Sequence, residues 1–173
     1  RETKLQRFLL QGNAMAAKQN YTDAKRYFGE AIRLDSCFAD AWNNMGTVYY
    51  KEKHFTEALA AYSKAIECRP EFHEVFLNRA NTYYELNQFR AALNDLDQFA
   101  RTSPDTSILY FSRGLIYTKL AEYDKALFFF NASFKRDTGN HEIPVNIGTV
   151  YYYKNELDSS RQMLARALEL EPD

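Results

Sequence analysis

The chain has 173 residues, a formal net charge of −1, 46% hydrophobic residues and only 6 Gly and 4 Pro. This composition excludes a disordered chain, which would be poor in apolar residues, and an all-β fold, which would need more turn residues. The near-neutral charge excludes electrostatic recruitment of nucleic acid or of an anionic membrane surface. No apolar run reaches the ~18–20 residues that span a bilayer, so we expect no membrane segment.

A 34-residue period organises the chain from its start. One position of each period holds a glycine or an alanine: Gly12, Gly46, Ala80, Gly114 and Gly148. A second holds large or ring-bearing residues: Phe8, Trp42, Phe76, Tyr110 and Pro144. A third holds small residues: Ala24, Ala58, Ala92, Ala126 and Ser160. Such a period is typical of repeat proteins. We expect residues 1–4 to extend the first helix, and repeats at about 5–38, 39–72, 73–106, 107–140 and 141–173.

The period 39–72 shows how each repeat is expected to fold. Its first half places residues at the i, i+3, i+4 and i+7 spacing of one helical face: Trp42, Met45, Gly46 and Tyr49. Its second half does the same with Ala58, Tyr62 and Ala65. Residues 53–56 between them read as a short turn. Each period therefore predicts a helix–turn–helix hairpin that cannot bury its apolar faces alone and is stabilised by stacking.

Caps and proline positions mark where these helices should begin and end. We expect Thr56 to be the N-cap of its second helix, because threonine favours that position. Thr22, Asp124 and Asp158 occupy the corresponding places. Prolines at the end of a period should terminate second helices: Pro70, Pro104 and Pro172. Pro144 fits the first turn of a helix, where no N–H is required.

The order of these positions closely resembles the tetratricopeptide repeat family. The family pattern is aromatic, apolar, Gly and Tyr on the first helix, then Ala, aromatic, Ala and Pro on the second, and residues 39–72 match nearly every position. The resemblance implies an all-α fold, a right-handed α-solenoid of antiparallel helix pairs. It also implies a function in protein–protein interaction, with first helices lining a concave groove. Departures from the pattern should adjust packing without changing the architecture: Arg79, Arg113, Phe99, Ser133 and Ser160.

No pattern in the chain predicts chemistry. Cys37 and Cys68 form no CxxC and no metal-ligand spacing, so we favour two ordinary thiols over a disulfide or a metal site. Free thiols favour, weakly, a reducing and hence intracellular, cytoplasmic location. His54, His73 and His141 are far apart, and we interpret them as surface residues. Without a catalytic motif or a phosphate-binding loop, we expect no enzyme and no cofactor or metal.

One first-helix position that the resemblance turns toward the groove is mostly asparagine: Asn44, Asn78, Ser112 and Asn146. A primary amide can pair with both the C=O and the N–H of a peptide backbone. Helices pack about 8–10 Å apart, and an extended chain advances ~3.3 Å per residue. The asparagines of successive repeats would thus contact about every third ligand residue. Similar rows of asparagines, one on each first helix, occur in family members that bind extended polypeptide. The alternative, that the asparagines satisfy helix ends or neighbouring side chains, stays open.

The remaining groove candidates combine polar and apolar groups. By the resemblance they are Asn13, Thr47, Tyr50, Lys51, Leu77, Asn81, Tyr84, Phe111, Leu115 and Tyr152. The apolar members could form a floor for a ligand, or they could pack against a docked helix or between repeats. Carboxylates outnumber ammonium groups in the predicted lining, so we expect a protein or peptide partner that is neutral to basic or partly apolar.

One known ligand of the family is excluded by residue type. A clamp for the acidic C-terminal tails of chaperones needs basic residues at three positions, where this chain has Leu9, Glu74 and Asn78. Without cations a carboxylate gains little there and loses its hydration. We therefore predict that the partner is not such a tail, and neither nucleic acid nor a membrane.

Three functional hypotheses remain from the sequence. The leading one is a module that binds an extended polypeptide in the groove. The second is a scaffold that organises a complex through its convex or terminal surfaces, and the third is the substrate-reading arm of a larger enzyme. No polar helix follows the last hairpin in the sequence, and an uncapped apolar end of this kind favours self-association or further repeats.

Overall fold

A computed structural model describes residues 2–171, and these residues form ten α-helices without a strand. The helices are α1 (Lys4–Ala17), α2 (Tyr21–Leu34), α3 (Ala39–Lys51), α4 (Phe55–Cys68), α5 (His73–Glu85), α6 (Phe89–Ala100), α7 (Ser107–Lys119), α8 (Tyr123–Arg136), α9 (Glu142–Tyr153) and α10 (Leu157–Leu170). The predicted all-α class is confirmed. None of the described helices has the length and apolar character needed to cross a membrane.

The first helix begins with a complete capping box. The Thr3 hydroxyl accepts from the Gln6 N–H, and the Gln6 side chain accepts from the Thr3 N–H. This reciprocal pair satisfies two N–H groups that the start of a helix leaves unpaired. Residues 2 and 3 therefore precede α1 instead of extending it, and Arg1 lies outside the described residues.

A residue with left-handed backbone lies two residues after the end of each odd-numbered helix, and the next helix begins two residues later. These residues have φ between 56° and 62°: Gln19, Lys53, Asn87, Ala121 and Asn155. The N–H of the residue that follows donates back over the turn, as His54 does to the Tyr49 carbonyl at 2.8 Å. This is the hydrogen bond of a Schellman C-cap, which satisfies a carbonyl at the helix end. The left-handed residue reverses the chain into the second helix.

The turn shifts the predicted caps by two positions. Because the left-handed residue precedes it, the N-cap of α4 is His54, and Thr56 is already the second helical residue. The prediction that Thr56 caps α4 is therefore wrong. The same holds for the equivalent residues, which occupy second positions of their helices: Thr22, Asp124 and Asp158. The two aspartates instead place negative charge in a first turn, where the helix dipole favours it.

The chain comprises two compact units, the first up to Asp95 and the second from Leu96. In the first unit the glycines of α1 and α3 face an aromatic ring of the following helix. A Cβ on Gly46 would lie 2.7 Å from the ring of Tyr62, and a Cβ on Gly12 would overlap the ring of Phe28. Both rings are buried. The missing Cβ thus makes room for an aromatic side chain inside each hairpin.

Apolar side chains join neighbouring hairpins within the first unit. Met45 and Val48 of α3 pack on Ala24 and Phe28 of α2. Val75 of α5 packs in turn on the small and aromatic residues of α4. The repeat positions identified from the sequence are therefore core positions.

The second unit repeats this arrangement around Phe130 of α8. A Cβ on Gly114 would lie 2.5 Å from that ring. Ile143 and Ile147 of α9 complete the same core cluster. Pro144 is buried in the first turn of α9, as predicted. Pro70 and Pro104 follow the ends of α4 and α6, whereas Pro172 lies outside the described residues.

Buried serines replace alanine at two repeat positions without leaving a polar group unpaired. The Ser133 hydroxyl donates to the Ser107 carbonyl at 2.9 Å. The Ser160 hydroxyl donates to the Gly148 carbonyl at 2.8 Å. A buried hydroxyl is costly only when it lacks a partner, so the helical architecture accommodates both departures.

The two cysteines form a disulfide, which corrects the expectation of two free thiols. Cys37 in the α2–α3 link is bonded to Cys68 at the end of α4, with 5.2 Å between their Cα atoms. Stacking brings these positions together although 31 residues separate them in sequence. Disulfides persist mainly in oxidising compartments, so the argument from free thiols to a cytoplasmic location no longer holds.

Candidate functional site

Four asparagine side chains in the first unit form a continuous chain of amide–amide hydrogen bonds. The Nδ2 of Asn78 donates to the Oδ1 of Asn43 at 3.0 Å. The Nδ2 of Asn43 donates to the Oδ1 of Asn44 at 3.5 Å, and the Nδ2 of Asn44 donates to the Oδ1 of Asn13 at 2.7 Å. We call this row the amide chain. It links the side chains of α5, α3 and α1 in one direction.

The amide chain keeps hydrogen-bonding capacity. A primary amide has two N–H donors and an oxygen with two lone pairs. Asn43 and Asn44 each use one donor and one acceptor site inside the amide chain. One N–H and one lone pair therefore remain on each, so a ligand can be bound without breaking the hydrogen bonds of the amide chain.

Of the two interpretations of the asparagine position, the structure bears on the second, and ligand binding by these asparagines stays a prediction. Asn44 and Asn78 do contact neighbouring side chains, as the alternative interpretation had it, and Asn13 joins them. Asn43 is the member that the 34-residue step does not identify, because it lies 35 residues before Asn78. Its signal in the sequence is the Asn43–Asn44 doublet.

A cavity of about 220 Å³ opens beside the amide chain. Its walls come from α1, α2 and α3: Asn13, Ala16, Ala17, Phe28, Asn44, Thr47, Val48 and Lys51. The two alanines of α1 leave the space, and Phe28 and Val48 make an apolar wall. Lys51 is exposed, and among the described residues it makes no ion pair. The cavity therefore offers an apolar wall beside amides and one ammonium group.

The Thr47 side chain forms hydrogen bonds inside the hairpin. Its hydroxyl donates to the Asn43 carbonyl at 3.2 Å and lies 3.0 Å from the Tyr62 hydroxyl, which donates in return. Burial raises the pKa of Tyr62 to about 12, although the bond to Thr47 acts in the opposite direction. Thr47 thus gives a buried phenol its partner.

Two tyrosines border the same face further along. Tyr50 stands edge-on to Phe55 at 5.4 Å, and Tyr84 stands edge-on to Phe89 at 5.9 Å. Both are half-buried, and the Tyr50 hydroxyl donates to Glu85 at 3.5 Å. Burial first, and the Glu85 carboxylate second, raise the pKa of each phenol. Both tyrosines remain neutral donors with large apolar faces, which suits an interface.

The charges of this face are few. Arg69 donates to Asp40 at 2.9 Å and so compensates it. Glu74 and Glu85 on α5 are exposed, as is Lys51 on α3. Leu77 and Asn81, also on α5, are half-buried.

In the second unit the predicted site residues have different surroundings. Ser112 is buried at 7% exposure, so its expected position at the groove surface is wrong. The Asn146 Nδ2 donates to the Glu142 carbonyl of its own helix at 2.8 Å. Phe111 and Leu115 pack against the core cluster, which is the packing alternative for the apolar floor. Tyr152 is 64% exposed. No amide chain forms among the described residues of this unit.

The described residues contain no group of three or more His, Cys, Asp or Glu side chains that could hold a metal ion. The candidate site consists of amides, phenols, one ammonium group and apolar walls. Such groups bind other molecules through hydrogen bonds and apolar contacts. These groups lie on stacked helical hairpins.

Family models identify the class of these hairpins. Models described as tetratricopeptide repeat match residues 39–72, 77–141 and 143–173. The chain belongs to the tetratricopeptide repeat family. No curated protein matches the sequence.

Solved structures share the fold over almost the whole chain. The MamA fragment "41-end" from Desulfovibrio magneticus RS-1 matches with a TM-score of 0.89 at 16% identity, covering 98% of this chain and 96% of that one. PilF of Pseudomonas aeruginosa matches with a TM-score of 0.85 at 19% identity, covering 98% and 77%. YrrB, described as a TPR protein with an unusual peptide-binding site, matches with a TM-score of 0.77 at 25% identity, covering 96% and 86%.

Proposed function

We propose that the first unit is a protein-interaction module that binds an extended polypeptide along its α1, α3 and α5 side chains. The observation that carries this proposal is the amide chain of Asn13, Asn44, Asn43 and Asn78. Three of its members, Asn43, Asn44 and Asn78, are half-buried and Asn13 is exposed, and donors and acceptors are left over for a ligand. No cofactor is needed for this function, and we propose no enzymatic activity.

The ligand's backbone is the group that the amides suit best. Each peptide unit offers one C=O and one N–H, and each inner amide has one N–H and one lone pair remaining. Recognition of ligand side chains by the same amides would need a particular polar ligand residue opposite each asparagine. Backbone recognition needs only an extended chain, so we expect broad tolerance of ligand sequence at the amides.

Selectivity would come from the surroundings of the amide chain. The 220 Å³ cavity with Phe28 and Val48 in its wall suits one apolar ligand side chain. Glu74 and Glu85 on α5 favour a neutral or basic segment near Tyr84. The binding of peptide by YrrB, a relative in fold at 25% identity, supports a peptide ligand.

The test is a peptide selected from a displayed random library against the native chain, followed by affinity measurements with variants. We expect Asn44→Ala with Asn78→Ala to weaken binding by about tenfold or more, since each lost hydrogen bond contributes about 0.5–1.5 kcal/mol. N-methylation of the peptide at successive positions should weaken binding with a period of about three residues.

A matched control separates this effect from unfolding. Asn94 is an exposed asparagine of α6 in the same unit, and Asn94→Ala should leave both helicity and affinity unchanged. If the double variant keeps its helicity and binds the peptide as well as the native chain, the amides are structural. A scaffold that acts through other surfaces would then be the better hypothesis.

A further inference from the structure

The contact between Tyr50 and Glu85 in the first unit leaves most of the Glu85 carboxylate without a partner. Glu85 is exposed, and it accepts a hydrogen bond from the Tyr50 hydroxyl at 3.5 Å. It takes part in none of the described ion pairs of the first unit. A carboxylate has about four lone-pair sites, so Glu85 can still accept hydrogen bonds from a cationic group.

The second unit contains the same kind of contact with a third member. The Tyr110 hydroxyl donates to the Asp105 carboxylate at 3.1 Å. Arg136 lies over the Tyr110 ring, 4.6 Å from its centroid, and its Nε donates to Asp105 at 2.8 Å. The guanidinium thus contacts an aromatic face and a carboxylate at once, an arrangement that suits arginine better than lysine. The chain itself therefore shows which cation completes a pair of tyrosine and carboxylate.

Aromatic surface lies around Glu85 on both α3 and α5. Tyr50 belongs to α3, Tyr84 precedes Glu85 on α5, and both rings are half-buried. After burial, the Glu85 carboxylate is the next cause that raises the pKa of both phenols. Glu85 therefore lies close to both hydroxyls, and one cationic side chain can contact the carboxylate and the tyrosine rings together.

The 220 Å³ cavity and the contact of Tyr50 with Glu85 occupy equivalent places in successive repeats. One period after the cavity residues Ala16, Ala17 and Lys51 come Tyr50, Lys51 and Glu85. The alanines leave space for an apolar ligand side chain, whereas the larger Tyr50 takes the place of Ala16 and Glu85 adds a negative charge. Lys51 disfavours a second cation in the cavity. The two places therefore select different ligand residues.

The distance between the two places sets the spacing of those ligand residues. Packed helices lie about 8–10 Å apart. A polyproline II chain advances about 3.1 Å per residue with three residues per turn, so residues three apart point to the same side. One turn of such a ligand therefore matches the step from one place to the next.

We propose that Glu85, with Tyr50 and Tyr84, binds an arginine side chain of the polypeptide ligand, about three residues away from an apolar side chain in the cavity. This inference rests on the proposed function, because it assigns ligand residues to the same site. The backbone contacts of the amide chain tolerate many sequences, so the cavity and Glu85 together determine the register of the ligand.

The probes are synthetic peptides with blocked ends and an uncharged host of serine and threonine. Each carries one leucine, and one arginine at one of several separations on either side of it. Nuclear magnetic resonance titration of the full chain measures their dissociation constants. On one side of the leucine, a separation of three residues should bind best. Replacing that arginine by citrulline, its neutral isostere, should weaken binding by about fivefold.

Three variants test the role of the carboxylate. Glu85→Gln should abolish the preference for arginine over citrulline and leave the affinity of the citrulline peptide unchanged. The matched control is Glu57→Gln, which removes an exposed carboxylate of α4 in the same unit and should keep the preference. Glu85→Lys should favour a peptide with glutamate in place of the arginine, because the sign of the charge is reversed.

Three outcomes would overturn the inference. The arginine and citrulline peptides could bind equally at every separation, the preference for arginine could survive in Glu85→Gln, or no peptide of the series could bind at millimolar concentration. A failure of the proposed function gives a different result. A peptide selected from the library would then bind the Asn44→Ala, Asn78→Ala variant as well as the native chain, whichever residue contacts Glu85.

Discussion

Arg79 and Arg113 occupy the same repeat position in the two units but have different partners. In the first unit Arg79 donates through two nitrogens to Asp95, at 2.7 and 2.8 Å, and both side chains are largely buried. In the second unit the position of Asp95 is held by Phe129, and Arg113 lies over that ring at 5.6 Å. Arg113 pairs instead with Asp97, whose side chain is 67% exposed.

This difference extends to the surroundings of each arginine. Arg79 also donates to Ser63 at 3.2 Å, so its environment is a polar network. Phe129 is stacked between Tyr110 and Tyr117, with interplanar angles of 19° and 9°. One repeat framework therefore accepts either a buried ion pair or an aromatic stack at the same place. The repeat framework constrains the volume and the direction of the arginine side chain. The neighbouring residue, Asp95 or Phe129, decides whether the arginine forms an ion pair or lies over an aromatic ring.

The largest expected effect comes from removing the buried arginine. Arg79→Met leaves the Asp95 carboxylate buried without its partner, which costs about 3–5 kcal/mol in comparable pairs. Arg113→Met leaves an exposed Asp97 that water can solvate, and should cost less than about 1 kcal/mol. Urea denaturation of both variants measures the contrast, and hydrogen exchange locates it in the first unit.

A double variant separates the cost of the unpaired charge from that of lost packing. Arg79→Met with Asp95→Leu should recover most of the stability lost by Arg79→Met, because no buried charge remains. Equal destabilisation by the single and the double variant would show that the arginine stem, and not the ion pair, stabilises this region.

The disulfide provides the next contrast, since its cysteines lie in the first unit only. Replacing both Cys37 and Cys68 by serine should lower the free energy of unfolding by about 3–4 kcal/mol, as estimated from the entropy of closing a loop of this length. The local structure should persist, because Trp42 Nε1 still donates to the Ser36 carbonyl at 2.9 Å. Reductant should shift the denaturation midpoint of the native chain and leave that of the variant in place. Two titratable thiols in the untreated native chain would contradict the bond.

The disulfide is a contact that the repeat period does not predict. The period predicted the helices, their pairing residues and the family, because each of these repeats every 34 residues. Cys37 and Cys68 are 31 residues apart, so they belong to different repeat positions, and only the stacked hairpins bring them together. No spacing rule along one helix predicts such a pair.

The candidate site was predicted in part for the same reason. Asn44 and Asn78 were found because they lie on the period, whereas their hydrogen bonds to Asn13 and Asn43 depend on side-chain directions across helices. Ser112 lies on the period too, yet it is buried. The position of a residue in a repeat predicts the direction of its Cα–Cβ bond. The length of its side chain and the packing of its neighbours decide whether the side chain reaches the surface.

A smaller effect distinguishes the glycines of α7 and α9. A Cβ on Gly114 would lie 2.5 Å from the buried Phe130 ring. A Cβ on Gly148 would lie 3.0 Å from Leu164, which is 42% exposed and can move, and 3.2 Å from the Ser160 carbonyl oxygen. Gly114→Ala should therefore cost about 1–3 kcal/mol. Gly148→Ala should change stability by less, since the helix propensity of alanine contributes about 1 kcal/mol in return. Thermal denaturation of the two variants tests this order, and equal losses would contradict it.

The smallest expected effect is a gain at the turn before α8. Ala121 has φ of 56°, a conformation in which the Cβ of an L-residue costs about 1–2 kcal/mol. Ala121→Gly removes that Cβ and should raise the free energy of unfolding by about 1 kcal/mol, after the larger unfolded-state entropy of glycine is offset. Asn155 has the same backbone conformation with φ of 62°, but asparagine tolerates it better, so Asn155→Gly should gain less. A loss of stability in Ala121→Gly would mean that the alanine side chain, and not the left-handed turn, determines stability there.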